Sequence, residues 1–98
     1  METEEILNLK FKSQDLHKEV TIREFFYKLM EKLWLEQEGF NGKRPFGNSS
    51  WDGDLIICLI KNKLVKGKID NDGYLEDYNY DKVNKFVIDK ILKPLFGI

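Results

Sequence analysis

Trp51-Asp52-Gly53-Asp54-Leu55-Ile56-Ile57-Cys58-Leu59-Ile60-Lys61-Asn62-Lys63 is the stretch on which the fold turns. Its six apolar residues, 55–60, fit either a buried strand or a helix covered on more than one side. Ser49 or Ser50 is expected to cap a helix here, with Asp52 in its first turn, where the helix dipole favours a carboxylate. Lys61-Asn62-Lys63 gives the far end a polar, basic close. These ends favour a central helix, continued or just left by Leu64 and Val65 and stopped by Gly67.

Upstream, Thr21 and Glu24 have the spacing of a capping box. Val20 and Phe25 have that of a hydrophobic staple. Ile22, Phe25, Phe26, Leu29 and Leu33 then form one stripe, widened by Met30 and Trp34. A helix is predicted over about 22–38, ended by Gly39. Between the two helices lies Gly39-Phe40-Asn41-Gly42-Lys43-Arg44-Pro45-Phe46-Gly47-Asn48-Ser49-Ser50.

Nearer the N-terminus, Leu7, Leu9 and Phe11 alternate with Asn8 and Lys10, the period of a half-buried strand over 6–11. Ser13-Gln14-Asp15 reads as a turn, and 16–20 as a short second strand or an extended lead-in. Downstream, Ile69 and Tyr74-Leu75 flank Asp70-Asn71-Asp72-Gly73, a strong turn signal, so 68–78 is predicted as a β-hairpin. From about Asp81 to Leu92, Val83, Phe86, Val87, Ile91 and Leu95 share a stripe. Asn79 or Asp81 caps this last helix, and Pro94 and Gly97 mark its end. The expected fold is therefore α+β: a small single domain of three helices, with an N-terminal strand and a hairpin between helices 2 and 3.

The 98 residues suit one core, burying roughly 65% of the unfolded surface without disulfides or metal. The net charge of −1 provides no bulk attraction to nucleic acid or an anionic membrane. Charge is nevertheless segregated. Positions 43–68 hold Lys43, Arg44, Lys61, Lys63, Lys66 and Lys68 against Asp52 and Asp54, whereas 70–81 hold Asp70, Asp72, Glu76, Asp77 and Asp81 with no base. The lone Cys58 excludes an intramolecular disulfide, and its apolar setting predicts an inert thiol. An acidic start without a signal-peptide pattern, and no long apolar run, predict an intracellular, cytoplasmic protein with no membrane partner.

Two surfaces stand out as binding candidates. In 42–51, Lys43 and Arg44 supply charge, and Asn48, Ser49 and Ser50 open a helix whose N–H groups suit a phosphate of a nucleotide or nucleic acid. The Lys-Ser/Thr pair of a P-loop is missing. The alternative is a connector anchored by Phe40, Phe46 and Trp51. In the hairpin, Tyr74, Asp77 and Tyr78 combine acid and tyrosine, which suits a basic partner or imitates nucleic acid. The alternative is a solvated turn with its tyrosines on the core.

Asp70-Asn71-Asp72-Gly73-Tyr74-Leu75 matches the middle of a calcium loop, but Lys68 and Asn79 stand where the first acid and the bidentate glutamate belong. His17 is the single histidine, no Cys/His cluster exists for zinc, and Asp52 and Asp54 do not share a helix face. No cofactor and no enzymatic activity are expected. A winged helix-turn-helix is disfavoured by the long connector and by the apolar second helix.

Glu38-Gly39-Phe40-Asn41-Gly42-Lys43-Arg44-Pro45-Phe46-Gly47-Asn48-Ser49-Ser50-Trp51, with Thr21-Ile22-Arg23-Glu24-Phe25 before it and Asp72-Gly73-Tyr74-Leu75 after it, resembles a block found in small uncharacterised proteins of bacteriophages and prophages. The resemblance spans most of residues 20–80. It implies a phage or prophage source, a host-cell setting and action by binding a host or phage protein. It assigns no residue a role. The expected function is that of an accessory protein working through protein–protein contact, as monomer or homodimer. The alternative is a phosphate- or nucleic-acid-binding module built on 42–51.

Overall fold

The computed structural model describes residues 1–37 and 51–97, with positions 30 and 32–37 described for their backbone alone. The described chain is mixed α and β, with two antiparallel two-stranded hairpins and helices before, between and after them. The predicted cap of the first long helix forms as expected. The Glu24 N–H donates to Thr21 Oγ1 at 3.1 Å, and the Thr21 N–H donates to Glu24 Oε1 at 3.2 Å. The Thr21 N–H is the largest cause holding the Glu24 carboxyl below its ordinary value, and the Thr21 side chain is the second. The helix runs Ile22–Gln37.

The N-terminal expectation needs correcting. A short helix α1 occupies Thr3–Leu7, where the alternation of Leu7 and Leu9 suggested strand. The Glu2 N–H donates to Glu5 Oε1 at 3.1 Å, so an acidic start closes a helical turn. Ile6 and Leu7 are buried as neighbours on that turn. On the exposed side, Glu4 pairs with Arg23 at 2.6 Å, and this bond raises the Arg23 guanidinium further. The strand proper, β1, is Lys10–Ser13. It pairs with β2, Lys18–Thr21, so the lead-in is a true second strand. Phe11 faces Val20 across the ladder, both buried. His17 is exposed at the connection, in the left-handed region (φ 56) that histidine tolerates better than most residues. The ladder runs on into helix α2 (Ile22–Gln37), because the Ile22 N–H donates to the Leu9 carbonyl at 2.9 Å. One first-turn donor that the helix cannot satisfy is thereby placed.

The deciding stretch is helical. Helix α3 spans Gly53–Lys61, and Leu55, Ile56, Cys58 and Leu59 are buried against β1 and the rest of the core. Its cap, however, is Asp52 rather than Ser49 or Ser50. Asp52 Oδ1 accepts from the Asp54 N–H at 2.8 Å. Its other oxygen accepts from the Ser13 hydroxyl at 2.8 Å and the Asp15 N–H at 3.1 Å. Ser13 Oγ in turn accepts from the Leu16 N–H at 3.0 Å. Asp52 is 5% exposed and Ser13 1%, so one carboxylate joins the β1–β2 turn to the start of α3 inside the core. Among the described residues, no buried side-chain nitrogen or oxygen lacks a partner. The aromatic rings Phe11, Phe25, Phe26 and Trp51 form an edge-to-face series with centroids 5.1–5.8 Å apart. Trp51 Nε1 donates to Asn84 Oδ1 at 3.2 Å, tying this series to the C-terminal helix. Trp51 is the anchor expected of it; Phe40, Phe46 and Gly39 lie outside the described residues.

Gly67 does not stop α3. The helix closes at Asn62, with the Lys63 N–H donating to the Ile60 carbonyl and the Leu64 N–H to the Leu59 carbonyl, both at 2.9 Å. This is a Schellman close, and its left-handed position is Lys63 (φ 59) rather than glycine. Lys63→Gly is therefore expected to raise stability by about 0.5–1 kcal/mol, read as a higher denaturation midpoint at unchanged slope. Cys58 sits on the preceding turn with its sulfur 4.0 Å from the Lys10 carbonyl oxygen. Burial pushes its thiol up, against a smaller opposing bond from Asn62. A raised native value means the thiol's contribution is complete below the ordinary range of about 8.5 and is lost as pH climbs through the native value. Stability should fall more steeply above about pH 8.5 for the wild type than for Cys58→Ala, and a thiol reagent should react at neutral pH only on unfolding.

The second hairpin pairs β3, Gly67–Ile69, with β4, Leu75–Tyr78. Lys68 faces Asp77 and Ile69 faces Leu75, which leaves Glu76 as the extra residue of a bulge. At the tip, Asp70 Oδ1 accepts from the N–H groups of Asp72 and Tyr74, each at 2.9 Å. Gly73 takes a φ of 88 there, open to glycine at little cost. Asn79 caps α4 (Tyr80–Val87), its Oδ1 accepting from the Lys82 N–H at 3.0 Å. The chain then passes through a π turn at Ile88–Leu92 into α5 (Lys93–Phe96) and ends on a left-handed Gly97. The wide turn comes just before Pro94, whose ring would meet the Lys90 carbonyl in a regular helix. Val83, Val87, Ile91 and Leu92 are fully buried along this run.

Candidate functional site

The end of α3, the base of the second hairpin and one face of α4 with its π turn enclose an open groove. The sequence explains its shape. The Schellman close turns the chain sharply at Lys63, so 63–66 fold back beside the helix end. Gly67 then lets β3 lie directly on α3: a side chain there would strike Ile60 and come within 2.9 Å of the Asp77 carbonyl oxygen. Opposite, Lys82, Lys85, Phe86, Asp89 and Lys90 recur at helical spacing and line the other wall. Val83 and Val87, one position on, turn into the core.

The floor contains Ile60, Leu64, Val65 and Phe86, all half-buried hydrophobic residues resting on the core. The rim carries Lys63, Lys66, Lys68, Lys82, Lys85 and Lys90, all exposed. None of the six forms an ion pair among the described residues. Two carboxylates oppose them. Asp77 stands across the ladder from Lys68, and Asp89 pairs with Lys93 at 3.1 Å. The groove thus offers apolar surface inside a rim of net positive charge. Such an arrangement can hold an anionic surface that also carries apolar groups.

The proposed site residues are divided by this geometry. Asp77 and Tyr78 line the groove, whereas Tyr74, 70% exposed, stands at the hairpin tip and does not. Tyr78 and Tyr80 rest against the core, as the reading of a solvated turn expects of them. Lys43, Arg44, Asn48, Ser49 and Ser50 lie outside the described residues. The sequence reading named none of Lys82, Lys85 and Lys90 as site residues and placed Phe86 only on the apolar stripe, although their common helical face, charged around one aromatic ring, was the signal available. Among the described residues, no three His, Cys, Asp or Glu side chains gather as a metal site. No described helix is long and apolar enough to cross a membrane.

No protein-family model matches the chain, and no match is found among curated proteins or solved structures.

Proposed function

We propose that the chain is a non-enzymatic accessory protein of phage or prophage type that acts by binding another protein, and that the groove between α3, the second hairpin and α4 is the binding surface. The observation that supports this reading is the pairing of an apolar floor with six lysines that have no ion-pair partner among the described residues. Exposed apolar surface rimmed by polar groups marks interaction sites, and unpaired charge of one sign speeds and orients encounter. The phage source rests on the residue blocks named above.

The test compares capture from a bacterial lysate by the wild type, by Lys82→Glu/Lys85→Glu and by Tyr74→Ala. The reading predicts proteins retained by the wild type and by Tyr74→Ala but lost by the double reversal. Capture that survives the reversal, or no capture above background by any of the three, contradicts it.

A further inference from the structure

We infer that the occupant of the groove is an acidic segment of another protein that presents apolar side chains to the floor, rather than a nucleic-acid strand. This rests on the groove being a protein-binding surface and adds the chemistry of what enters it. Three features carry the choice. First, the excess charge is positive, six lysines against Asp77 and Asp89, with Asp89 already paired to Lys93, so the complement is acidic.

Second, the floor is mainly aliphatic. Ile60, Leu64 and Val65 offer no π face, and the Phe86 and Tyr78 rings are half-buried against the core. Single-stranded nucleic acid takes much of its binding from stacking on exposed rings, and neither ring lining the groove is fully exposed. Third, Asp77, in no ion pair among the described residues, interrupts the lysine rim. A phosphate backbone carries charge at every nucleotide and is repelled there. A polypeptide can place a neutral or basic residue at that point and acids elsewhere. The lysines suit this role, since their long stems lie along apolar surface while the ammonium groups stay in water.

The experiment measures fluorescence anisotropy of labelled probes with the full chain. Two peptides of one Glu/Leu composition are used, one placing leucine on a single helical face and the other in strict alternation. The controls are the same peptides with serine for leucine, polyglutamate, and a single-stranded oligothymidylate. At least one leucine peptide is expected to bind. That binding should weaken at least about tenfold between about 0.1 M and 1 M salt, as the screening length shrinks. It should fall by a similar factor in Lys82→Glu/Lys85→Glu, whose exposed positions leave the fold intact by circular dichroism. The serine peptides and polyglutamate should bind at least about tenfold more weakly than the leucine peptide.

Absence of binding by both leucine peptides overturns the inference. So does equal or tighter binding of polyglutamate, or of the oligothymidylate, which would make the occupant a nucleic acid. Failure here while lysate capture still depends on Lys82 and Lys85 removes only the assigned chemistry. Capture indifferent to those lysines removes the groove itself.

Discussion

Asp52→Ala is expected to lower the stability of the chain by about 2–4 kcal/mol, measured by denaturant unfolding. Two losses combine. The N-cap bond to the Asp54 N–H disappears, which by itself costs about 1 kcal/mol. The Ser13 hydroxyl, 1% exposed, is left facing a site with no acceptor, at a cost of about 1–3 kcal/mol. The exposed Asp15 can turn its N–H to water and adds less. Asp52→Asn keeps one acceptor oxygen but faces either the Asp54 or the Ser13 side with a donor, so about 1–2 kcal/mol is expected. Ser13→Ala should cost less once Asp52 is already Ala, because the bond between the two side chains is then already gone and only the Leu16 N–H bond remains to be lost. Additive losses for the two sites would contradict a shared network.

The second large effect is expected at Gly67. Gly67→Ala should cost about 1–3 kcal/mol, because the methyl group meets the Asp77 carbonyl oxygen at 2.9 Å and overlaps the end of the Ile60 side chain. The Ile60 side chain can yield by changing rotamer, but the backbone oxygen cannot move without lifting β4. Ile60→Val in the Gly67→Ala background removes the nearest methyl group and should restore part of the loss. The same substitution should weaken any ligand of the groove, since Ile60, Gly67 and Asp77 all line it. A Gly67→Ala chain as stable as the wild type would mean that β3 does not lie on α3 as described.

Local signals in the sequence carried most of the elements. Thr21 with Glu24, Asn79 before Tyr80, and Asp70 to Gly73 each make bonds within four residues, so spacing alone reveals them. The misreadings are instructive for the same reason. Glu2 is an uncommon residue at a helix cap, and Leu7, Leu9 and Phe11 fit a period of two, so the end of α1 looked like strand. Serine is as good a cap as aspartate by residue type, and what gives Asp52 the role is Ser13 and Asp15, some 40 positions earlier. The groove was illegible because its walls, 60–68 and 77–90, come from separate elements. Lys82, Lys85 and Lys90 read as an ordinary solvated helix face until the base of the hairpin is set opposite them.

The most direct test of the central claim is amide chemical-shift mapping of the full chain as an acidic leucine peptide is titrated in. The groove reading predicts shifts concentrated at 60–68 and 77–90, reduced by high salt and absent in Lys82→Glu/Lys85→Glu. Shifts confined to 1–30, to 42–50 or to the hairpin tip around Tyr74 would contradict it.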